Sequence, residues 1–215
     1  LKLKAARQAG RIAEAMDTAR LLAKHRAFSP DAARSLVRSL AADLIGQAHD
    51  PGQLQSVWES LGATERRQPE LALRAAQRLL ALGGNHAVAR QWLLPVWEDM
   101  LALPEAFSDT HRVRLAHVLE AGLLGTGEAS DPPWLARLEA AAQAHPRDAT
   151  LQYLAGMACL HRGLWGRAQV LLAQAARSLG DEGLRRHAWR ALAEMAEQRG
   201  DTVAAAEAWK RAATA

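Results

Sequence analysis

Apolar residues along this chain return at spacings of three and four, as at Ala168, Leu172 and Ala175. That is the period of a helix with one buried stripe. The pattern predicts helices over 3–8 and 11–27, 31–48 and 51–62, 69–83 and 86–101, 109–124 and 133–144, 147–162 and 165–179, and 182–199 and 202–213. Turn residues mark the breaks. Ser29-Pro30-Asp31 ends one helix and caps the next. Asp50-Pro51-Gly52, Gln68-Pro69, Gly83-Gly84-Asn85, His145-Pro146-Arg147-Asp148 and Gly180-Asp181 do similar work. Pro95 falls inside a predicted helix and is expected to kink it or end it. The longest irregular stretch, Gly125 to Pro133, separates a less regular part, 1–124, from a regular one, 125–215, in one continuous array.

The helices also form a repeat. Gly163, Ala168, Leu172 and Ala175 stand at offsets 0, 5, 9 and 12. The same offsets give Gly200, Ala205, Trp209 and Ala212; Gly84, Ala89, Leu93 and Val96; and Gly10, Ala15, Ala19 and Leu22. Gly163 to Gly200 is 37 residues, and Gly10 to Gly84 is 74, twice that period. Each unit reads as a helical hairpin. The glycine ends the first helix, where a left-handed residue is cheap without a Cβ, and the alanine marks a close helix crossing. One hairpin cannot bury its own faces, whereas stacked hairpins can.

This arithmetic matches the tetratricopeptide repeat (TPR). The clearest unit runs from Ala149 to Gly180 and carries Ala155, Gly156, Cys159, Gly163, Trp165, Ala168, Leu172 and Ala175 on the pattern's positions. The next carries Trp189, Leu192, Ala193, Ala196, Gly200, Ala205, Trp209 and Ala212. Trp189 holds the aromatic position near the start of the first helix, and Gln152 replaces it in the preceding unit. The expected fold is an all-α, right-handed superhelix of about six TPR-like hairpins.

Composition agrees. Ala and Leu supply 48 and 33 of the 215 residues, against 27 for Val, Ile, Thr, Phe, Tyr and Trp together. Strong helix formers dominate, and the residues a pleated sheet selects are scarce. The net charge is +4, with 23 of the 27 basic residues arginine. Arginine can fork onto phosphate, but the charges are mixed in sign along the chain, so no nucleic-acid partner is expected. The single cysteine, Cys159, permits no internal disulfide and reads as a buried thiol. No apolar run is long enough to span a bilayer. The chain starts in mid-pattern without Met, and we expect it to be a fragment whose parent is longer.

Catalytic and metal motifs are lacking. There is no HExxH helix, GxSxG elbow, P-loop or CxxC. His111 and His117 lie six apart on one predicted helix and point in different directions. His161 is expected near a helix C-terminus, where positive charge on the imidazole is favourable. Met157, Cys159 and His161 lie within five residues, but positions 157 and 161 share a face and 159 does not; Met157 and Cys159 read as packing residues. No enzyme, cofactor or metal site is expected.

In TPR proteins the first helices line a concave groove, mainly through repeat positions 2, 5, 9, 12 and 13. In the clearest unit these are Thr150, Tyr153, Met157, Leu160 and His161. In the next they are His187, Arg190, Glu194, Glu197 and Gln198. One wall is apolar with a tyrosine and the next is charged, which suits a peptide or protein surface. The Lys and Asn of a carboxylate clamp are not at these positions. The seven tryptophans are spread along the chain, and an exposed one would be an interface anchor.

Val57-Trp58 before Gln68-Pro69, Gly83-Gly84 with Ala89, Leu94-Pro95, His145-Pro146, the run Leu160-His161-Arg162-Gly163-Leu164-Trp165 with Ala168, and Ala204-Ala205-Ala206 carry a resemblance. From about Val57 onward the chain resembles the C-terminal repeat region of the HemY proteins, heme-biosynthesis-associated TPR proteins of proteobacteria. The resemblance implies two transmembrane helices in a segment missing here, a place in the bacterial inner membrane with the repeats on the cytoplasmic side, and a link to a late step of protoheme synthesis. It implies other proteins as partners, heme-biosynthetic enzymes among them, and no established activity. A porphyrin- or heme-handling role is the alternative. The flavin enzyme protoporphyrinogen oxidase, which has shared the name, needs a GxGxxG after a strand, and the chain has none.

Overall fold

The computed structural model describes residues 4–6, 9–25, 29–123 and 132–215, and among these every regular element is helical. The chain divides into two compact units, Leu1–Glu98 and Asp99–Ala215. The expected division at 124/125 falls in a stretch, 124–131, that lies outside the described residues, as do parts of the predicted helices 3–8 and 11–27.

The first unit contains α1 (Ile12–Lys24), α2 (Pro30–Gln47), α3 (Pro51–Ser60), α4 (Ala63–Arg66), α5 (Pro69–Ala81) and most of α6 (His86–Ala102). Ser29 caps α2 by accepting from Ala32 N, and Asp50 caps α3 by accepting from Gln53 N at 2.8 Å. Pro30, Pro51 and Pro69 occupy first-turn positions, where a missing N–H costs nothing. Helix α2 packs on α1, α3 and α5 around Leu40, Ile45, Leu54, Leu71 and Leu73, all fully buried. The Trp58 and Trp92 rings stack with centroids 4.8 Å apart.

One local feature departs from the sequence pattern. The predicted helix 51–62 stops at Ser60, and a separate turn, α4, follows because Glu65 Oε2 accepts from Gly62 N at 2.7 Å. The same carboxylate pairs with Arg20 of α1 at 2.7 Å. Pro95 does not end its helix: α6 continues through it to Ala102.

The second unit contains α7 (Asp109–Leu123), α8 (Pro132–Ala144), α9 (Ala149–His161), α10 (Trp165–Ser178), α11 (Glu182–Gln198) and α12 (Thr202–Thr214). The pairs α9–α10 and α11–α12 are the most tightly packed, α10 lies against α11, and α9 lies against α7 and α8. The stripe read from the repeat is buried at Ala168, Leu172, Ala175, Ala205 and Ala212, while Trp209 is half-buried. Gly156 lets α9 approach α10 closely; a Cβ there would stand 2.8 Å from Leu172 Cγ.

Four of the six predicted hairpin turns share one geometry. Gly10, Gly83, Gly163 and Gly200 have φ between 70° and 74°. After each, the next residue donates to the carbonyl five positions back: Arg11 to Ala6, Gly84 to Leu79, Leu164 to Cys159, and Asp201 to Ala196. This is the Schellman closure, which satisfies a carbonyl the helix end leaves free. The third turn corrects the expected register, because Gly83 rather than Gly84 is left-handed. Gly84 is needed for approach: a Cβ there would lie 2.9 Å from Leu79 O.

A left-handed residue other than glycine costs about 1–2 kcal/mol. Gly163→Ala is therefore expected to destabilise by about that amount. Gly166→Ala, in the first turn of α10 with open space around it, is expected to be neutral or stabilising by up to about 1 kcal/mol. Urea midpoints of the two variants check this, and equal values would contradict it.

Candidate partner-binding face

Helices α7, α9 and α11 meet around a polar cluster. Capping aspartates fix their registers. Asp148 accepts from Thr150 N and Leu151 N at the start of α9, and it also pairs with Arg112 of α7. Asp181 accepts from Leu184 N at 2.8 Å at the start of α11. Helical spacing then puts Thr150, Tyr153, Met157 and Leu160 along one face of α9.

Tyr153 is fully buried. Its hydroxyl donates to Glu120 Oε2 of α7 at 2.5 Å. The other carboxylate oxygen lies 3.6 Å from His187 Nδ1 of α11, which is itself 3.4 Å from the Tyr153 hydroxyl. The His117 ring stands edge-on to His187, with centroids 6.3 Å apart. Glu120 is 8% exposed, so its carboxylate depends on these partners for hydrogen bonds. Burial, and then the Glu120 charge, hold the Tyr153 phenol far above its ordinary value, so it remains protonated and acts as a donor.

The other expected groove residues fall into different places. Tyr153 and Met157 are buried on α9, contrary to their expected place on the groove surface; for Met157 this agrees with the packing reading. Leu160 is half-buried, and His161, His187, Arg190, Glu194 and Glu197 are exposed. Glu197 is turned toward its own hairpin partner, since Trp209 Nε1 of α12 donates to it at 2.7 Å. Arg190 and Glu194 make no hydrogen bond or ion pair among the described residues. With Glu182, they are the charged groups of α11 that make no such contact among the described residues.

Glu120 was not foreseen in this cluster, although the repeat contains the signal. It stands 37 residues before Met157, which stands 37 before Glu194, so all three share repeat position 9.

His161 stands in the last turn of α9, as expected. Its ring is partly desolvated although the residue is exposed, and this lowers its pKa, opposed in part by Glu120. Cys159 is buried as expected. Burial, then the Glu139 carboxylate 3.6 Å from its Sγ, push its thiol up to about 11, against a smaller opposing pull from Arg167.

The His161 shift gives a signed prediction. With its folded pKa below the unfolded 6.5, the stability it contributes is present above that value and is lost as pH falls through it toward the folded pKa. His161→Gln is expected to flatten this part of the acid limb in urea midpoints taken against pH. An unchanged slope would contradict the assignment.

Among the described residues, no group of three or more His, Cys, Asp and Glu is arranged to hold a metal ion. No helix among them is long and apolar enough to cross a membrane. Comparison with family models, curated proteins and solved structures found no match.

Proposed function

We propose that this chain is a TPR-like solenoid, a right-handed superhelix of about six hairpins, which works as a non-enzymatic protein-interaction scaffold. The observation that carries this reading is the hairpin turn repeated at Gly10, Gly83, Gly163 and Gly200 with one left-handed geometry and one closing hydrogen bond. Repeated hairpins present successive first helices side by side, and such arrays bind other proteins along that face. Arg190 and Glu194, exposed on α11 and unengaged among the described residues, are its proposed contact residues.

The link to a late step of protoheme synthesis rests on the HemY resemblance, as does a place at the bacterial inner membrane through a segment outside this sequence. On this reading the partners are heme-biosynthetic enzymes, and direct tetrapyrrole binding is the competing outcome.

The test is a crosslinking pull-down from solubilised bacterial membranes, with this chain and its Arg190→Ala/Glu194→Ala variant as baits. The reading predicts terminal heme-pathway enzymes with the parent bait and at least about tenfold less with the variant, the loss expected for 1.4 kcal/mol of contact energy. Enrichment of unrelated proteins would sink the heme link and leave the scaffold. No specific partner, together with a Soret shift on adding protoporphyrin, would replace the scaffold with tetrapyrrole handling.

A further inference from the structure

The 37-residue period places two grooves at equivalent points of the second unit, and they differ in what fills them. The first lies between α8 and α10, with Gln152 of α9 at its base. It has a volume of about 650 Å³, with Ala142, Pro146, Val170 and Leu171 among its walls. The second lies between α10 and α12 over α11 and has about 230 Å³. Adding 37 to Gln152, Val170, Leu171 and Gln174 gives Trp189, Glu207, Ala208 and Arg211, and all four line the second groove.

The second groove is filled from within. Trp189 stands where Gln152 stands in the first, and the Arg211 guanidinium covers the indole at 4.7 Å from a ring centroid. Gln152 does not replace that ring. Its side chain is buried and turned aside, with Nε2 donating to Ala142 O at 2.7 Å. Val170, where the second groove has Glu207, leaves an apolar wall 66% exposed.

The rim indicates the charge of an occupant. Arg167 and Glu139 pair with each other at 3.0 Å, and Gln174 Nε2 donates to Pro146 O at 3.0 Å. Gln143 completes an edge of neutral amides. Among the described residues no unpaired charge lines this groove, so a charged ligand would lose its hydration without gaining a counter-ion. A neutral ring with an N–H fits better, since indole buries a large apolar area and still needs one acceptor.

We propose that the groove between α8 and α10 is a docking site for a tryptophan-like side chain carried by a segment of a partner protein, in the space that Trp189 fills in the next hairpin. A buried aromatic anchor in a preformed socket is the arrangement that concentrates binding energy at protein interfaces. The site lies on the side of the second helices and does not depend on the first-helix face.

The test is amide NMR of the isotope-labelled 215-residue chain, titrated with acetyl-Gly-Gly-Trp-Gly-Gly-amide. Saturable shifts are expected around 142–152 and 166–174, and none with the peptide carrying Ala in place of Trp. Gln152→Trp, which supplies the repeat's own indole, is expected to weaken binding by at least about tenfold. Val170→Glu copies Glu207 at an exposed site, is expected to do the same, and carries the test if Gln152→Trp does not fold. Absent saturation, shifts centred elsewhere, undiminished binding by Val170→Glu, or saturation by free indole but not by the peptide would each overturn the proposal.

Discussion

Tyr153→Ala is expected to lower the unfolding free energy by about 3–5 kcal/mol, and Tyr153→Phe by about 1–3 kcal/mol. The ring is fully buried among α7, α9 and α11, so alanine leaves a cavity in addition to losing the transfer energy. Phenylalanine keeps the ring and removes only the hydroxyl. The cost then comes from Glu120, whose carboxylate is left almost buried with His187 at 3.6 Å as its remaining named partner. A double-mutant cycle separates the terms. With Glu120→Gln as background, Tyr153→Phe should cost measurably less, because the charged acceptor is already gone. Additive effects would show that the 2.5 Å contact carries no coupling energy and that the cluster is not what fixes the three helices.

Trp58→Ala is the second large effect, expected at about 3–5 kcal/mol. Trp58 is 5% exposed and Trp92 7%, and their rings overlap at 4.8 Å with 24° between planes. Alanine at 58 loses the buried area and the stacking partner together, the stacking alone being about 0.5–1.5 kcal/mol. Trp58→Phe keeps a ring against Trp92 and should recover more than half of the loss. Chemical denaturation of the two variants, with Trp92→Phe to close the cycle, checks both statements. A Trp58→Ala midpoint within error of the parent would contradict the packing described for α3 and α6.

The helices were legible because an Ala- and Leu-rich chain leaves few alternatives, because Pro30, Pro51 and Pro69 mark starts, and because Asp50, Asp148 and Asp181 cap through strictly local bonds. The turns at Gly163 and Gly200 were legible for the same reason. Gly83 and Gly84 show the limit: adjacent glycines serve different needs, a positive φ and a close approach, and spacing alone does not rank them. The short α4 was hidden because it depends on Glu65 reaching back to Gly62, a bond that no apolar period records.

For the candidate face, repeat positions were legible and depth was not. Repeat positions put Tyr153, Met157, His187, Arg190 and Glu194 on one face, but burial is decided by neighbouring helices. Tyr153 is covered because Glu120 and His187 reach over it from α7 and α11. His161 stands in the last turn of α9 as read from the pattern, but the partial desolvation that lowers its pKa is set by packing and leaves no trace in the spacing.

The most direct measurement of the central claim places a photo-crosslinking benzophenone amino acid at two exposed positions in otherwise unaltered protein. Position 194 lies on the first-helix face of α11 and position 206 on α12. Irradiation in solubilised bacterial membranes, followed by mass spectrometry of the adducts, reports which face meets a partner. The account predicts one protein adduct recovered repeatedly from position 194 and absent from position 206. The same adduct from position 206 alone, or none from position 194, would contradict it.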